Sequence, residues 1–194
     1  DENGRKATNV FNGTGDLTSI TDHSGAATTL GYSPATGSLL SIKDALGQQT
    51  TYTYAKINGT TLKQTETAPD GALTTYGYDG TGRVTSTTRN MVLKPRAATV
   101  SGTTRQTYDA QGNVLTSTDA VGNVTSYTYN AASELLTETD ALNRLTRHEY
   151  SLRGERVKTT HPDGGLETWS FDANGKETQH CVRNVCTQQG YDQL

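Results

Sequence analysis

Strong charge, long apolar runs and cysteine are all scarce in this sequence. Its 194 residues include two Cys, one Met, one Trp and two Phe, and the formal net charge is −3. Leu, Ile, Val and Phe together make up less than a fifth of the chain. That level accompanies disorder in highly charged sequences, but the charge here is too small for that reading. No apolar stretch is long enough for a signal segment or a membrane span. The chain starts at Asp1 rather than Met and is read as an excised fragment or a processed product. The near-neutral balance excludes nucleic acid as a partner. Arg144, Arg147, Arg153 and Arg156 form the nearest approach to a basic cluster and are read as solvated strand ends.

Signatures of chemistry are also missing. His23, His148, His161 and His180 stand in no Ser-His-Asp or Cys-His pattern. His148 instead occupies the aromatic slot of a repeated segment. No Asp-x-x-Gly stretch continues into a calcium-binding loop. None of the many Ser and Thr has an activating base set beside it by a motif. The expectation is no catalytic residue, no cofactor and no metal.

What the sequence has is Gly, Thr, ten Tyr and a beat. Turn-like tetrapeptides start at Asp1, Asn12, Asp22, Pro34 and Asp44, more loosely at Lys56 and Ala68, and again at Asp79, Thr99, Asp109, Asp119, Asn130, Asp140, Ser151, Pro162 and Asp172. Steps are 10 to 12 residues, except for a gap of 20 after Asp79 that is read as two steps with a turn at Thr88–Met91. Asp at the first turn position and Gly at the fourth suit a type I turn. Six pairs define the series: Asp22 with Gly25, Asp44 with Gly47, Asp79 with Gly82, Asp109 with Gly112, Asp119 with Gly122 and Asp172 with Gly175.

Between turns, polar and aromatic residues alternate. Tyr52 and Tyr54, Tyr76 and Tyr78, Tyr127 and Tyr129, and Trp169 and Phe171 sit two apart, which puts each pair on one face of a strand. Tyr108 and Tyr150 hold the same slot alone. Return strands place an aliphatic after the turn, as at Leu17, Leu39, Val84, Val114 and Leu135. Short strands at this spacing mean an all-β fold. Turns before aromatic strands alternate with turns before aliphatic strands, so the unit is a hairpin of 21 to 23 residues. Residues 56–78 change turn chemistry, with Asn58-Gly59 as a two-residue hairpin loop and Pro69-Asp70-Gly71 as a second turn. Strands are expected at about 48–56, 60–67, 72–79 and 83–89. Residues 90–105, with Pro95, fit the pattern worst and are expected to be irregular.

Tyr78-Asp79-Gly-Thr-Gly82-Arg-Val84 and Tyr108-Asp109-Ala-Gln-Gly112-Asn-Val114 resemble the YD repeat of the Rhs family, which includes bacterial polymorphic-toxin shells, insecticidal toxin-complex subunits and animal teneurins. The resemblance covers most of the chain, as roughly eight units over residues 1–194. It departs at Asn130–Ser133 and Asp140–Asn143, which lack Gly, and at Ser33 and Ser151, which replace Asp. It implies repeated antiparallel β-hairpins laid side by side in a long curved or spiralling sheet. It further implies a segment of a larger shell that encloses a toxin domain and is secreted, surface-borne or delivered by a secretion system. The family's autocleavage residues have no counterpart here, so none is carried over.

Dimensions allow either a piece of a larger shell or a solid curled sheet. About 17 strands at ~4.8 Å each form a ribbon ~80 Å wide, or a ring ~25 Å across if closed. A folded domain of about 100 residues needs at least ~26 Å of clear interior. Open strand edges imply self-association. The Tyr rows also allow a second reading, a face that binds glycans or a receptor. The two cysteines lie in Cys181-Val-Arg-Asn-Val-Cys186. A turn at Arg183-Asn184 would set Cys181 opposite Cys186 for a disulfide. Free thiols, or a metal site completed by His180, are the alternatives.

Overall fold

A computed structural model describes residues 6–93 and 98–188. Among them all regular structure is strand. The chain divides into two compact units, Asp1–Thr103 and Thr104–Leu194. The first holds β1 (Thr8–Phe11), β2 (Leu17–Thr21), β3 (Ala27–Tyr32), β4 (Leu39–Lys43), β5 (Gln49–Ile57), β6 (Thr60–Thr67), β7 (Leu73–Tyr78), β8 (Val84–Leu93) and the start of β9 (Ala98–Tyr108). The second holds the end of β9, then β10 (Val114–Thr118), β11 (Val124–Tyr129), β12 (Leu135–Thr139), β13 (Leu145–Tyr150), β14 (Arg156–Thr160), β15 (Leu166–Phe171), β16 (Glu177–Val182) and β17 (Val185–Gln188).

From β1 to β8 and from β9 to β17, every strand pairs antiparallel with its successor, so the expected side-by-side hairpins are present. The register alternates between two kinds. Eight pairings break by one residue, beside Phe11, Tyr32, Tyr54, Tyr78, Tyr108, Tyr129, Tyr150 and Phe171. The pairings between one hairpin and the next run without a break. Each break is a β-bulge, which bends its strand and adds local twist. The last aromatic of every outgoing strand therefore sits where the ladder is disturbed.

The core is thin. Among the described residues, Ala72 and Thr159 alone are fully buried, each 3% exposed. The strand β11 instead alternates exposed and half-buried, with Tyr127 and Tyr129 both half-buried on one face. Burial pushes the hydroxyls of Tyr52, Tyr78, Tyr127 and Tyr129 above the usual tyrosine range. On the opposite face, threonines pair across strands: Thr53 with Thr65 at 2.7 Å, Thr107 with Thr116 at 2.6 Å and Thr128 with Thr137 at 2.6 Å. Such pairs contribute a few tenths of a kcal/mol up to about 1 kcal/mol each.

Several expectations need correction. Thr88–Met91 is not a turn but lies inside β8, and Thr99 lies inside β9. The gap of 20 residues is one pair of long strands. Much of 90–105 is consequently strand, while Pro95 and residues 94–97 lie outside the described residues, as does the turn at Asp1. The turns expected at Pro34 and Pro162 start one residue earlier, at Ser33 and His161. All four arginines are exposed, and three of them also have partners. Arg144 pairs with Asp140 at 2.6 Å, Arg153 donates to the carbonyls of Ala173 and Asp172, and Arg156 lies 4.6 Å over the Trp169 ring.

Candidate functional site: corners, rims and the aromatic face

The corners share one construction, shown by Asp119. Its carbonyl accepts from Gly122 N–H at 3.1 Å, and its N–H donates to the Asn123 carbonyl at 2.9 Å. Its Oδ1 accepts from the N–H groups of Val121 and Asn123, both at 2.9 Å, and its Oδ2 from the Asn123 side chain at 2.7 Å. The Asn123 side chain and then its N–H hold the Asp119 carboxyl below the usual carboxylate range. Asp22, Asp109, Asp140 and Asp172 are lowered in the same way, led by Ser24, Asn113, Arg144 and Lys176 respectively. The fourth position turns left-handed, with φ of 95° at Gly122 and 87° at Gly82, which Gly adopts at no steric cost.

The corner glycines, alike in sequence, are not alike in surroundings. Gly25 and Gly175 show the difference. Both close their corner, with N–H groups donating to the Asp22 carbonyl at 3.0 Å and the Asp172 carbonyl at 3.1 Å. Their φ values are 86° and 80°. A Cβ at Gly25 would meet nothing within 4 Å, so backbone conformation alone asks for glycine there. A Cβ at Gly175 would come within 3.1 Å of Glu155 Oε1, so that corner is also crowded by the preceding one on its rim. Neither glycine faces anything but its own corner or a neighbouring one, and their part is to shape the turn.

The fifth position was missed in the sequence. Its side chain often closes the ring, as Arg83 does on Asp79, Asn113 on Asp109 and Glu134 on Asn130. A polar residue four after the turn Asp is the signal that would have found it.

Alternation of the corners gives each unit two rims. The bulge rim adjoins the breaks in register; the other is the plain rim. On the bulge rim, side chains link one corner to the next. In the first unit, Asn58 donates to the Gly80 carbonyl. In the second, Asn113 donates to Ser133 Oγ at 3.1 Å, and Arg153 reaches the Ala173 and Asp172 carbonyls at 2.7 and 3.0 Å. The plain rim of the second unit ends in a link from Arg183 to Asp163. Elsewhere its tips are apolar, with Val121 84% and Leu142 72% exposed.

Tyrosine hydroxyls tie hairpin to hairpin. Tyr54 donates to the Leu39 carbonyl at 2.8 Å, and Tyr78 to the Lys63 carbonyl at 2.5 Å. Leu39 faces Tyr32 across the ladder, and Lys63 faces Tyr54. Each hydroxyl thus reaches the carbonyl opposite the previous hairpin's bulge aromatic. The Lys63 ammonium lies 5.6 and 4.7 Å from the Tyr52 and Tyr76 ring centres and 2.7 Å from Glu66. Tyr108 donates to Gln106 at 2.9 Å.

The second unit replaces part of the Tyr row by a polar cluster. Trp169 stacks on His180 at 5.1 Å, and His180 Nε2 lies 2.7 Å from Glu167. His161 lies 3.5 Å from the other Glu167 oxygen. His148 meets buried Thr159 at 2.9 Å, and burial, then the Arg156 charge, pull its pKa down. Among the described residues, no group of three His, Cys, Asp or Glu could hold a metal ion. No helix of the described residues is long and apolar enough to cross a membrane. Arg183 and Asn184 form the last turn with φ of 49° and 69°, and Cys181 is joined to Cys186 at 2.05 Å.

Hairpins that close on tight corners, many of them led by Asp, and carry an aromatic at a bulge define a β-hairpin repeat scaffold. Residues 108–145 match the family model described as RHS Repeat. Over 96% of its length the chain is similar in fold to part of a Photorhabdus luminescens Tc holotoxin pore carrying a mutation in TccC3, with a TM-score of 0.77 and 18% identity. It is similar as well to crystal structures of TcdB2-TccC3 (TM-score 0.76, 18% identity) and of TcdB2-TccC3 without its hypervariable C-terminal region (TM-score 0.76, 17% identity), over 91% of this chain in both. The chain spans 11% of the first solved chain and 10% of the other two. No curated protein matches the sequence.

Proposed function

We propose that this chain is a non-enzymatic wall segment of an Rhs-type shell that encloses a toxin domain and helps to deliver it. The observation that carries the reading is the repeated hydroxyl staple, Tyr54 to Leu39 and Tyr78 to Lys63, which fixes neighbouring hairpins to each other. A wall needs that lateral stiffness, because a single sheet layer has little core to supply it. Corners whose polar groups are satisfied locally leave few groups to act on a substrate. The fold likeness to a Tc holotoxin pore supports the same reading. The partners are then the remaining shell and the enclosed domain, and the place of action is outside the producing cell. The glycan reading is weaker, because the Tyr54 and Tyr78 hydroxyls are already engaged by backbone carbonyls.

Limited proteolysis of the longer polypeptide, carrying this segment and the domain it encloses, tests the proposal. The enclosed domain should resist trypsin in the intact protein and be cut once Tyr54→Ala and Tyr78→Ala are combined. Equal cleavage of the enclosed and isolated domain would overturn the enclosing role. A hydrolase screen in which one substitution abolishes activity would overturn the non-enzymatic part.

A further inference from the structure

The last two described strands are held in different ways. β16 is tied to β15 by side chains: His180 stacks on Trp169 at 5.1 Å and lies 2.7 Å from Glu167. The turn that follows is anchored as well. Arg183 N–H donates to the Leu166 carbonyl at 2.8 Å, and the Arg183 guanidinium pairs with Asp163. All four residues of β17 are exposed, Val185 to 75%. Among the described residues, two contacts supplement its ladder with β16. Thr187 Oγ1 donates to the His180 carbonyl at a long 3.3 Å, and Cys186 is bonded to Cys181.

The turn does not hold this hairpin by itself. Arg183 and Asn184 both have left-handed φ, 49° and 69°. Asn tolerates that region through its short polar side chain, but Arg is strained there. The Asn58-Gly59 hairpin is the comparison, with φ of 46° and 86°. Its residues are the pair such a turn prefers, and its strands β5 and β6 run for nine and eight residues. No disulfide joins them. The covalent bond is found where the turn is strained and the partner strand has four residues. Cys186 is exposed and Cys181 half-buried, which opens the Cys186 sulfur to attack from solvent. The bridge joins residues five apart. A ring that small constrains little of the unfolded chain, so the bond bears on local opening of β17 more than on the whole unit.

We propose that Cys181–Cys186 is a thiol–disulfide exchange site, and that its reduction by a dithiol releases β17 from β16. A thiolate of the dithiol attacks Cys186 Sγ, the S–S bond breaks, and Cys181 leaves as a thiolate that takes up a proton. The second thiol of the reagent then attacks the mixed disulfide and expels Cys186. Two electrons pass to the protein, the dithiol ends as its own disulfide, and its two protons end on the two cysteines. A short ladder and a strained turn then remain to hold a fully exposed strand. β17 opens and uncovers the hydrogen-bonding edge of β16. β16 stays on β15 through His180 and Arg183.

Hydrogen exchange read by mass spectrometry tests this, comparing the oxidised chain with the chain treated with dithiothreitol in the absence of denaturant. Alkylation counts the free thiols. Both cysteines should alkylate after treatment of the folded chain. Exchange across Val185–Gln188 should quicken at least about tenfold, while Leu166–Phe171 keeps its rate. Cys181→Ser/Cys186→Ser should show the fast exchange without reductant, and if that variant does not fold, the reduced wild type still decides. A bond that dithiothreitol opens only in urea would overturn the exchange site. Unchanged exchange in β17 after reduction would overturn its release. Loosening that spreads to β15 would make the bond a brace for the whole unit and overturn the local clasp. The enclosing role does not depend on any of these outcomes and is decided by the proteolysis test.

Discussion

The two rims are built from the same corner yet are finished differently. The bulge rim has an aromatic at each break in register and side chains running from corner to corner. The plain rim has unbroken register and, at Leu46, Val121 and Leu142, apolar tips. A bulge explains part of the contrast. It leaves an extra residue unpaired and turns the strand, so it needs a large side chain to cover the disturbance and a partner for freed backbone groups. Tyr supplies both, with a ring on the half-buried face and a hydroxyl for the neighbouring hairpin's carbonyl. The plain rim has no such disturbance, and its tip positions are open to other uses.

The largest expected effect lies at a staple. Tyr78→Ala removes a half-buried ring and its hydrogen bond, and should cost about 2–3 kcal/mol of stability. Tyr78→Phe keeps the ring and should cost about 1 kcal/mol. Leu142→Ser on the plain rim should stay within about 0.5 kcal/mol. Urea denaturation of the three variants measures all of these. Equal losses at Tyr78 and Leu142 would erase the distinction between the rims.

Acid should act on both rims and so blur the contrast. The folded pKa of the corner Asp residues lies below the unfolded value, so their contribution is complete above about pH 4 and is lost as pH falls through the folded value. His148 has the same sign, because its folded pKa is also lowered, so charging it in acid opposes folding. Its contribution is complete above about pH 6.5 and declines below that. Stability against pH should therefore fall in two stages, a shallow one below about 6.5 and a steeper one below about 4. His148→Gln should remove the first stage and leave the second. A single acid stage in the wild type would contradict this account of His148.

Much of this architecture could be read from the residues, and the exceptions have physical causes. Asp119 and Gly122 announce their corner, because Asx bonding and a left-handed fourth position are local demands. Tyr127 and Tyr129 announce a face, because strand period is local too. The bulges are different. Tyr78 faces Val84 and Thr21 faces Ala27, six residues apart in both cases, so a corner with a bulge and one without have equal length. The extra residue appears one step further along, where Gly77 faces Ser86, and only the pairing reveals it. The same limit hid the hydroxyl staples, which join positions 15 apart in different hairpins. It also hid the contrast between Gly25 and Gly175, since the carboxylate beside Gly175 comes from another corner. The false turn at Thr88 arose because chain distance counts residues, and one long strand consumes as many as two short ones with a corner.

The bulge-rim links call for a smaller test. Arg153→Ala deletes two hydrogen bonds to the next corner and an ion pair to Glu155 at 3.4 Å. Arg153 is exposed and Glu155 half-buried, so the expected loss is about 0.5–1 kcal/mol, measured by thermal denaturation. No change would mean that the corners are tied by the staples alone.

The smallest effect is also the most discriminating, because two terms oppose each other at one residue. Ser133 stands at φ 63° and Asn143 at φ 58°, where the other four-residue corners have Gly. A left-handed backbone costs a serine roughly 1 kcal/mol, and asparagine less, since its side chain bonds locally. Ser133→Gly should relieve that strain but forfeits the bond from Asn113 across the bulge rim. The net gain should be about 0.5 kcal/mol. Asn143→Gly, on the plain rim, has little strain to relieve and should change stability less. In an Asn113→Ala background the bond is already gone, so Ser133→Gly should there yield its full relief of roughly 1 kcal/mol. Matching gains in both backgrounds would show that the link between Asn113 and Ser133 contributes nothing, and the two rims would then differ only in their staples and their tips.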